Sequence, residues 1–268
     1  MAGKPERAGV EWITSRKNSL ITYVRKLAGS RSFRRQNGQF LCDGGKMLTE
    51  ALKWDARIEV LISTPEAEAP VLHGVRNVQV PPELMRFLSS MESPQGILFL
   101  CRIPELSPPA RLTGNRYLVL DGLQDPGNVG TIWRTADAFG ADALLLVNQC
   151  ADPFNPKTVR ATMGAVFRLP VYEPDASELA SLCRVSSLPL YAAALRDDSA
   201  ALEHCDLTRA AVVIGNEGHG ASSRILADCT GTIRIPMEPR CESLNASAAA
   251  AVVLWEQYRR SRAETDPE

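Results

Sequence analysis

The sequence predicts an α/β protein in two parts, the larger C-terminal part built on a mostly parallel sheet with helices on both faces. Three observations point there. Beyond residue 115, near-continuously apolar stretches such as "RYLVLDGL" and "RAAVVIG" recur, and strands without polar alternation are those buried on both faces. Helical segments separate them, the order that parallel crossovers require. Between two apolar strands, "PELSPPARLTGN" at 104–115 combines three prolines with Ser, Thr and Gly, and such a stretch seldom continues an element. We therefore expect an N-terminal domain over 1–105, a linker over 106–114 and a second domain over 115–268.

In chain order, "SLITYVRKLAGS" reads as an amphipathic helix with Gly29 near its end, "QFLCDG" as a short strand, "GKMLTEALKW" as a helix and "IEVLIS" as a strand. The helix "ELMRFLSS" and the strand "GILFLCR" complete a small α/β domain. After the break, the strand "RYLVLDGL" leads through "QDPGNVG" into a helix "TIWRTADAFG" closed by Gly140, then the strand "ADALLLV". There follow "NPKTVRATMG", "VFRLPVYE", a helix around 176–185, "LPLYAAAL", "RAAVVIG", "GTIRIPM" and a last helix, "SLNASAAAAVVLWEQYRR". No repeat or long low-complexity tract interrupts this order.

Net charge over the 268 residues is only −1. Its distribution is uneven: residues 1–35 hold nine Lys/Arg against Glu6 and Glu11, which makes this stretch +7 and the remainder −8. A basic arm of Lys4, Arg7, Arg16, Lys17, Arg25, Lys26, Arg31, Arg34 and Arg35 suits either the phosphates of a nucleic acid or a solvated helix face. Seven cysteines, with no CxxC and no Cys/His pairing, predict reduced, packed thiols and neither a zinc site nor a disulfide framework. Apolar runs stop well short of the ~18 residues of a membrane helix, and the start lacks the apolar centre of a secretion signal. A cytoplasmic protein is the expectation.

Ligands of parallel sheets bind at the carboxyl ends of strands, and three strands here end in unusual loops that should converge. In the first, Asp125 to Gly130 supply a Pro-Gly turn, Asn128 offers both donor and acceptor, and Thr131 can cap the helix carrying Arg134. That places Arg134 in the first turn, where a guanidinium opposes the helix dipole, which favours an anion or substrate role over a surface ion pair. In the second, "GNEGHG", the glycines are spaced three and two apart, unlike a dinucleotide fingerprint. Glu217 there can pair with Arg134, receive a ligand's polar edge, or cap the next helix. His219, one of three histidines, reads equally as a general base or a solvent-facing side chain. In the third, Ser243 or Asn245 begins the last helix, and only one can cap it.

These loops, in this order, resemble the signature motifs of the SpoU (TrmH-type) family of SPOUT RNA ribose methyltransferases. Its Asn-x-Gly-x-x-x-Arg is similar to "NVGTIWR", its Gly-x-Glu-Gly-x-Gly to "GNEGHG", and its Ile-Pro-Met followed by Ser-Leu-Asn-x-Ser to "IPMEPRCESLNAS". The match covers 115–262, and "ITSRKNSLITYVRKL" with "GQFLCDGGKMLTEAL" resembles the family's substrate-binding domain, with Asp-Gly-Gly where Glu-Gly is commoner. The resemblance implies a deep trefoil knot, against the general absence of knots, together with S-adenosyl-L-methionine as cofactor and a homodimer with no metal. It further implies 2'-O-methylation of an RNA ribose, in large-subunit ribosomal RNA first and transfer RNA second, by Arg134, Asn128, Glu217, Ser243 and Asn245. The backbones of Gly215, Asn216, Glu217, Gly218, Ile235, Met237 and Leu244 would hold the cofactor, and Arg16, Lys17, Arg31, Arg34 and Arg35 the RNA. A guanidinium with a pKa above about 12 does not deprotonate in proteins, so Arg134 is expected to grip phosphate and favour the developing alkoxide. The rivals are a non-catalytic RNA-binding assembly factor and an NAD- or ATP-binding enzyme. The second lacks both the GxGxxG after its first strand and the Walker lysine.

Overall fold

The computed structural model describes residues 9–238, 240–241 and 243–265, so Lys4, Glu6 and Arg7 of the basic arm lie outside the described residues. Two compact units share the chain: Met1–Pro104 with Phe154–Phe167, and Glu105–Pro153 with Arg168–Glu268.

The first unit runs β1 (Val10–Trp12), α1 (Ser19–Gly29), α2 (Arg31–Asn37), β2 (Gln39–Asp43), α3 (Gly45–Lys53), β3 (Ile58–Ser63), β4 (Arg76–Gln79), α4 (Pro82–Leu88) and β5 (Ile97–Arg102). The sheet order is β1-β4-β3-β5-β2. The first three strands are parallel, and β5 is antiparallel to both its neighbours. Asn18 begins α1 by accepting the Leu20 N–H at 2.8 Å, and Leu20, Ile21, Val24 and Leu27 then fall on one face at helical spacing. That face meets Leu41, Val60, Ile62 and Val78 from the sheet.

Where α1 meets α2, Arg34 departs from its expected role. It is 2% exposed, and its Nη1 donates to the carbonyls of Leu27 and, at 3.2 Å, Ala28. These are orphan carbonyls at the end of α1 that need a donor. Arg34 is therefore a helix cap, and it leaves the set of candidate RNA contacts.

The second unit runs β6 (Arg116–Asp121), α5 (Pro126–Ala138) and β7 (Ala143–Val147); α6 (Pro156–Ala161) then belongs to the first unit. After it come β8 (Val171–Tyr172), α7 (Ala176–Val185), β9 (Leu190–Ala193), β10 (Ala200–Ala201), β11 (Ala210–Gly215), α8 (Ser223–Asp228), β12 (Gly231–Arg234) and α9 (Ala246–Thr265). Seven strands pair in the order β10-β12-β9-β11-β6-β7-β8, and every pairing is parallel. All of β7 is buried, which requires helices on both faces and explains its unbroken apolar run. The sequence reading kept Phe154–Phe167 within 115–268. Its rings pack in the first unit instead, Phe154 against Phe40 at 5.0 Å and Phe167 against Phe40 and Phe99 at 6.4 Å each.

One helix start differs from expectation, and another is decided between two candidates. Asp125, not Thr131, caps α5, accepting the Asn128 N–H at 2.8 Å, with Pro126 as first helical residue. Proline suits that position because its missing N–H would have no partner there. The supposed Pro-Gly turn is therefore the first turn of the helix, and Arg134 lies two turns further in, beyond the reach of the dipole argument. Asn245 begins α9, its Oδ1 accepting the Ser247 N–H at 2.9 Å, which leaves Ser243 as the residue free of capping.

Candidate functional site

Because β12, β9, β11 and β6 are adjacent and parallel, their carboxyl ends share one edge of the sheet, and the loops leaving them meet there. The loop after β11 folds back on itself: Asn216 and Gly220 exchange backbone hydrogen bonds of 3.0 and 2.9 Å. Asn216 Oδ1 accepts the N–H groups of Gly218 at 2.9 Å and His219 at 3.2 Å, while its Nδ2 donates to the Gly122 carbonyl at 2.8 Å. One side chain thus shapes its own loop and docks it on the loop after β6. Gly215 is needed for the fold-back, since a Cβ there would lie 2.1 Å from the Gly220 carbonyl carbon and the Ala221 nitrogen. No rotamer relieves a clash with backbone atoms.

The fold-back presents Glu217 to the start of α5. Its carboxylate accepts from Asn128 Nδ2 at 3.0 Å and the Gln124 N–H at 3.4 Å, so it does not cap α8, whose cap position is Ser222. Asn128 Oδ1 accepts in turn from Asn245 Nδ2 at 3.4 Å. Residues 117 positions apart in the chain are thereby linked through one amide. Partial burial pushes the Glu217 carboxyl up, but the hydrogen bonds from Asn128 and from backbone N–H groups outweigh it and hold the group below its usual value. Glu217 is accordingly an anion at neutral pH. The His219 ring nitrogen Nδ1 lies 3.2 Å from Asn216 Oδ1, which gives it a place in the loop's own network.

A cleft of about 410 Å³ opens beside this network, within the range of small-molecule sites. Gly215, Asn216, Glu217, Gly218, Ile235, Met237 and Leu244 all line it, as does Ser243. Ala193 to Leu195 at the end of β9, Arg234, and Ala246 and Ala249 of α9 also line it. The sequence reading missed these; the signal was the strand end in "LPLYAAAL", which is the same kind of signal as the other three loops. A wall rich in Gly and Ala, with exposed main chain, fits a ligand read through backbone groups.

Asp121 was missed too. It ends an otherwise apolar strand, is 2% exposed, and accepts from Asn148 Nδ2 and the Ser222 N–H, each at 2.7 Å. It therefore ties the loops after β6, β7 and β11 from below. Arg134 is not brought into the constellation. Helical geometry sets it about 120° around α5 and about 9 Å along from Asn128, it is exposed, and among the described residues it has no hydrogen-bond or ion-pair partner. In the first unit, Arg16, Lys17 and Arg31 are exposed, and half-buried Arg35 lies over the Phe154 ring at 5.5 Å. Among the described residues, no group of three His, Cys, Asp or Glu could hold a metal, and no helix is long and apolar enough to cross a membrane.

Residues 115–255 match the model of the SpoU rRNA Methylase family, and residues 18–98 match the MRM3-like substrate binding domain. A Bacillus subtilis protein, 23S rRNA (guanosine(2553)-2'-O)-methyltransferase RlmP, is 30% identical over 91% of this chain and 97% of its own. The human mitochondrial rRNA methyltransferase 3 is 31% identical over 94% of this chain and 74% of its own. The crystal structure of an AdoMet-bound rRNA methyltransferase from Sinorhizobium meliloti superposes with a TM-score of 0.85 at 29% identity, covering 94% of this chain and 99% of that one.

Proposed function

The chain belongs to the SpoU rRNA methylase family, and from that premise we propose that it transfers a methyl group from S-adenosyl-L-methionine to a ribose 2'-hydroxyl of large-subunit ribosomal RNA. The observation that carries this reading is the convergence of Asn128, Glu217 and Asn245 beside a cleft lined by every residue expected to hold the cofactor. The family model over 115–255, and relatives whose names specify 2'-O-methylation of 23S ribosomal RNA, support the substrate class.

The cofactor supplies an electrophilic methyl on a sulfonium. This chain's residues must hold the ribose oxygen in line and help its proton leave as the new O–C bond forms and the C–S bond breaks. Orientation alone can contribute roughly 7–11 kcal/mol. Asn128, fixed between the Glu217 carboxylate and Asn245, presents a rigid amide, and Ser243, free of capping, lines the cofactor side. We assign Arg134 to grip the target phosphate and favour the developing alkoxide, with the proton passing to phosphate or water.

Arg134 lies outside the network of its own chain, which favours a homodimer in which one subunit's Arg134 serves the other's cleft. A surface for it exists on α9: Val252 is 38% and Trp255 50% exposed, and Trp255 packs with Phe139 of α5 and Tyr258 at ring distances of 5.7 and 6.1 Å. Apolar side chains left exposed together mark an interface more often than isolated ones do. We read 115–268 as the methyltransferase domain, with its C-terminal segment threaded through a loop as a trefoil knot. This is supported by a cleft lined jointly by residues from the end of β9, the loop after β11, the end of β12 and the start of α9. The N-terminal domain over 1–105 is read as the RNA-binding part, supported by the substrate-binding family model, and the cytoplasm as its location. Tritium transfer from labelled cofactor tests the function: transcribed 23S RNA should accept methyl groups and transfer RNA should not. The reverse preference would move the substrate to transfer RNA.

A further inference from the structure

Resting on the reading that the chain acts on RNA, we propose that Arg16 and Arg25, laid on Phe87, form a platform that binds a single-stranded segment of the RNA. The sequence placed Arg25 in the basic arm without a specific contact, and gave no role to Phe87. Phe87, near the end of α4, is half-buried and packs on the core of the first unit. The Arg16 guanidinium carbon lies 4.7 Å from the centroid of its ring and that of Arg25 lies 4.9 Å from it. Both are well inside the distance at which a ring face attracts a cation. The two charges are therefore held within about 10 Å of each other, although like charges repel.

Other arginines of the same unit are neutralised, Arg76 by Glu11 at 2.7 Å and Arg102 by Glu59 at 2.9 Å. Among the described residues, neither Arg16 nor Arg25 meets a carboxylate. Arg25 has one further bond, from Nη1 to the Phe87 carbonyl at 3.1 Å, which fixes its stem and leaves its other N–H groups to solvent. Lys17 and Lys26, the chain neighbours of the pair, are exposed as well. A pair of exposed guanidiniums fixed on a ring, with no anion of their own, suits a phosphodiester. A guanidinium plane held against the ring also gives an unpaired base something to stack on. Double-stranded RNA would engage the charges without needing the ring, so the contribution of the ring selects the single strand.

The test uses the full-length protein and a fluorescein-labelled oligouridine 15-mer, with affinity measured by anisotropy from 50 to 300 mM salt. Arg16→Ala with Arg25→Ala is expected to weaken binding about 10- to 100-fold and to flatten the slope of log K against log salt by about 1.4, the value for two phosphate contacts on a single strand. Arg16→Lys with Arg25→Lys keeps the charge, so the slope should stay while affinity still falls. Phe87→Leu preserves packing and should weaken binding without changing the slope. Cofactor affinity, measured by calorimetry, should be unchanged in all of them. Binding by the alanine pair within twofold of wild type at an unaltered slope would overturn the proposal, and full affinity in the lysine pair would overturn the stacked geometry. If the wild type methylates 23S RNA while the alanine pair does so with unchanged KM, the platform is wrong and the function stands. If the wild type transfers no methyl to any RNA, the function is wrong whatever the oligonucleotide shows.

Discussion

Arg134 and Glu217 carry opposite charges and, on this account, different duties. A guanidinium that clamps through two parallel N–H groups is not replaced by an ammonium, so Arg134→Lys should lose about 10- to 100-fold in kcat, and Arg134→Ala about 100- to 1000-fold. The pH profile separates clamp from base. A base role would let lysine, with its ordinary pKa near 10.4, recover activity toward high pH, whereas a clamp predicts a flat and low profile. Glu217 titrates on the acid side. Hydrogen bonds to its anion hold its folded-state pKa below the unfolded value, so its contribution to loop stability is complete above about pH 4.3 and is lost as pH falls through the folded value. Cofactor affinity measured by calorimetry should therefore be level from about pH 5 to 9 and weaken only below that. A midpoint near neutrality would show that Glu217 does not govern cofactor binding.

At the level of elements, the start of α5 positions the chemistry. Asp125 holds the N–H of Asn128 at 2.8 Å, so Asp125→Ala should cost about 0.5–2 kcal/mol of stability and lower kcat by releasing Asn128 from its register. Thr131→Ala should do neither, and thermal unfolding with steady-state kinetics checks both. This is also where the sequence misled. Gly127 and Gly130 suggested a turn, yet an Asp-Pro start outweighs two glycines, each of which costs only about 1 kcal/mol in a helix. The strands of the second unit were legible because burial on both faces removes all polar alternation, as in β7. The short strands β1, β4 and β10, of four residues or fewer, carry too little pattern to be read. The cleft could be found from its loops, but Asp121 could not be found from periodicity, because its two partners come from Asn148 and Ser222, far along the chain. Arg34 shows the converse: composition placed it in a basic arm, and two carbonyls of α1 claimed it.

For the whole molecule, an Arg134 that serves the partner's cleft requires two subunits. Trp255→Glu, on the exposed face of α9, should yield a monomer in sedimentation experiments and abolish methylation. Complementation then locates Arg134. Arg134→Ala and Gly215→Ala are each expected to be inactive, but after subunit exchange a site built from both chains recovers about a quarter of wild-type activity in a symmetric dimer. No recovery would place Arg134 in the cleft of its own chain. Methyl transfer to a ribose oxygen, directed by the converging loops, is read out by nucleoside mass spectrometry of transcribed 23S RNA after incubation with the protein and S-adenosyl-L-methionine. One 2'-O-methylated nucleoside is expected, absent with Arg134→Ala. A methyl group on a base, or unmodified RNA with a protein that binds the cofactor, would contradict this reading.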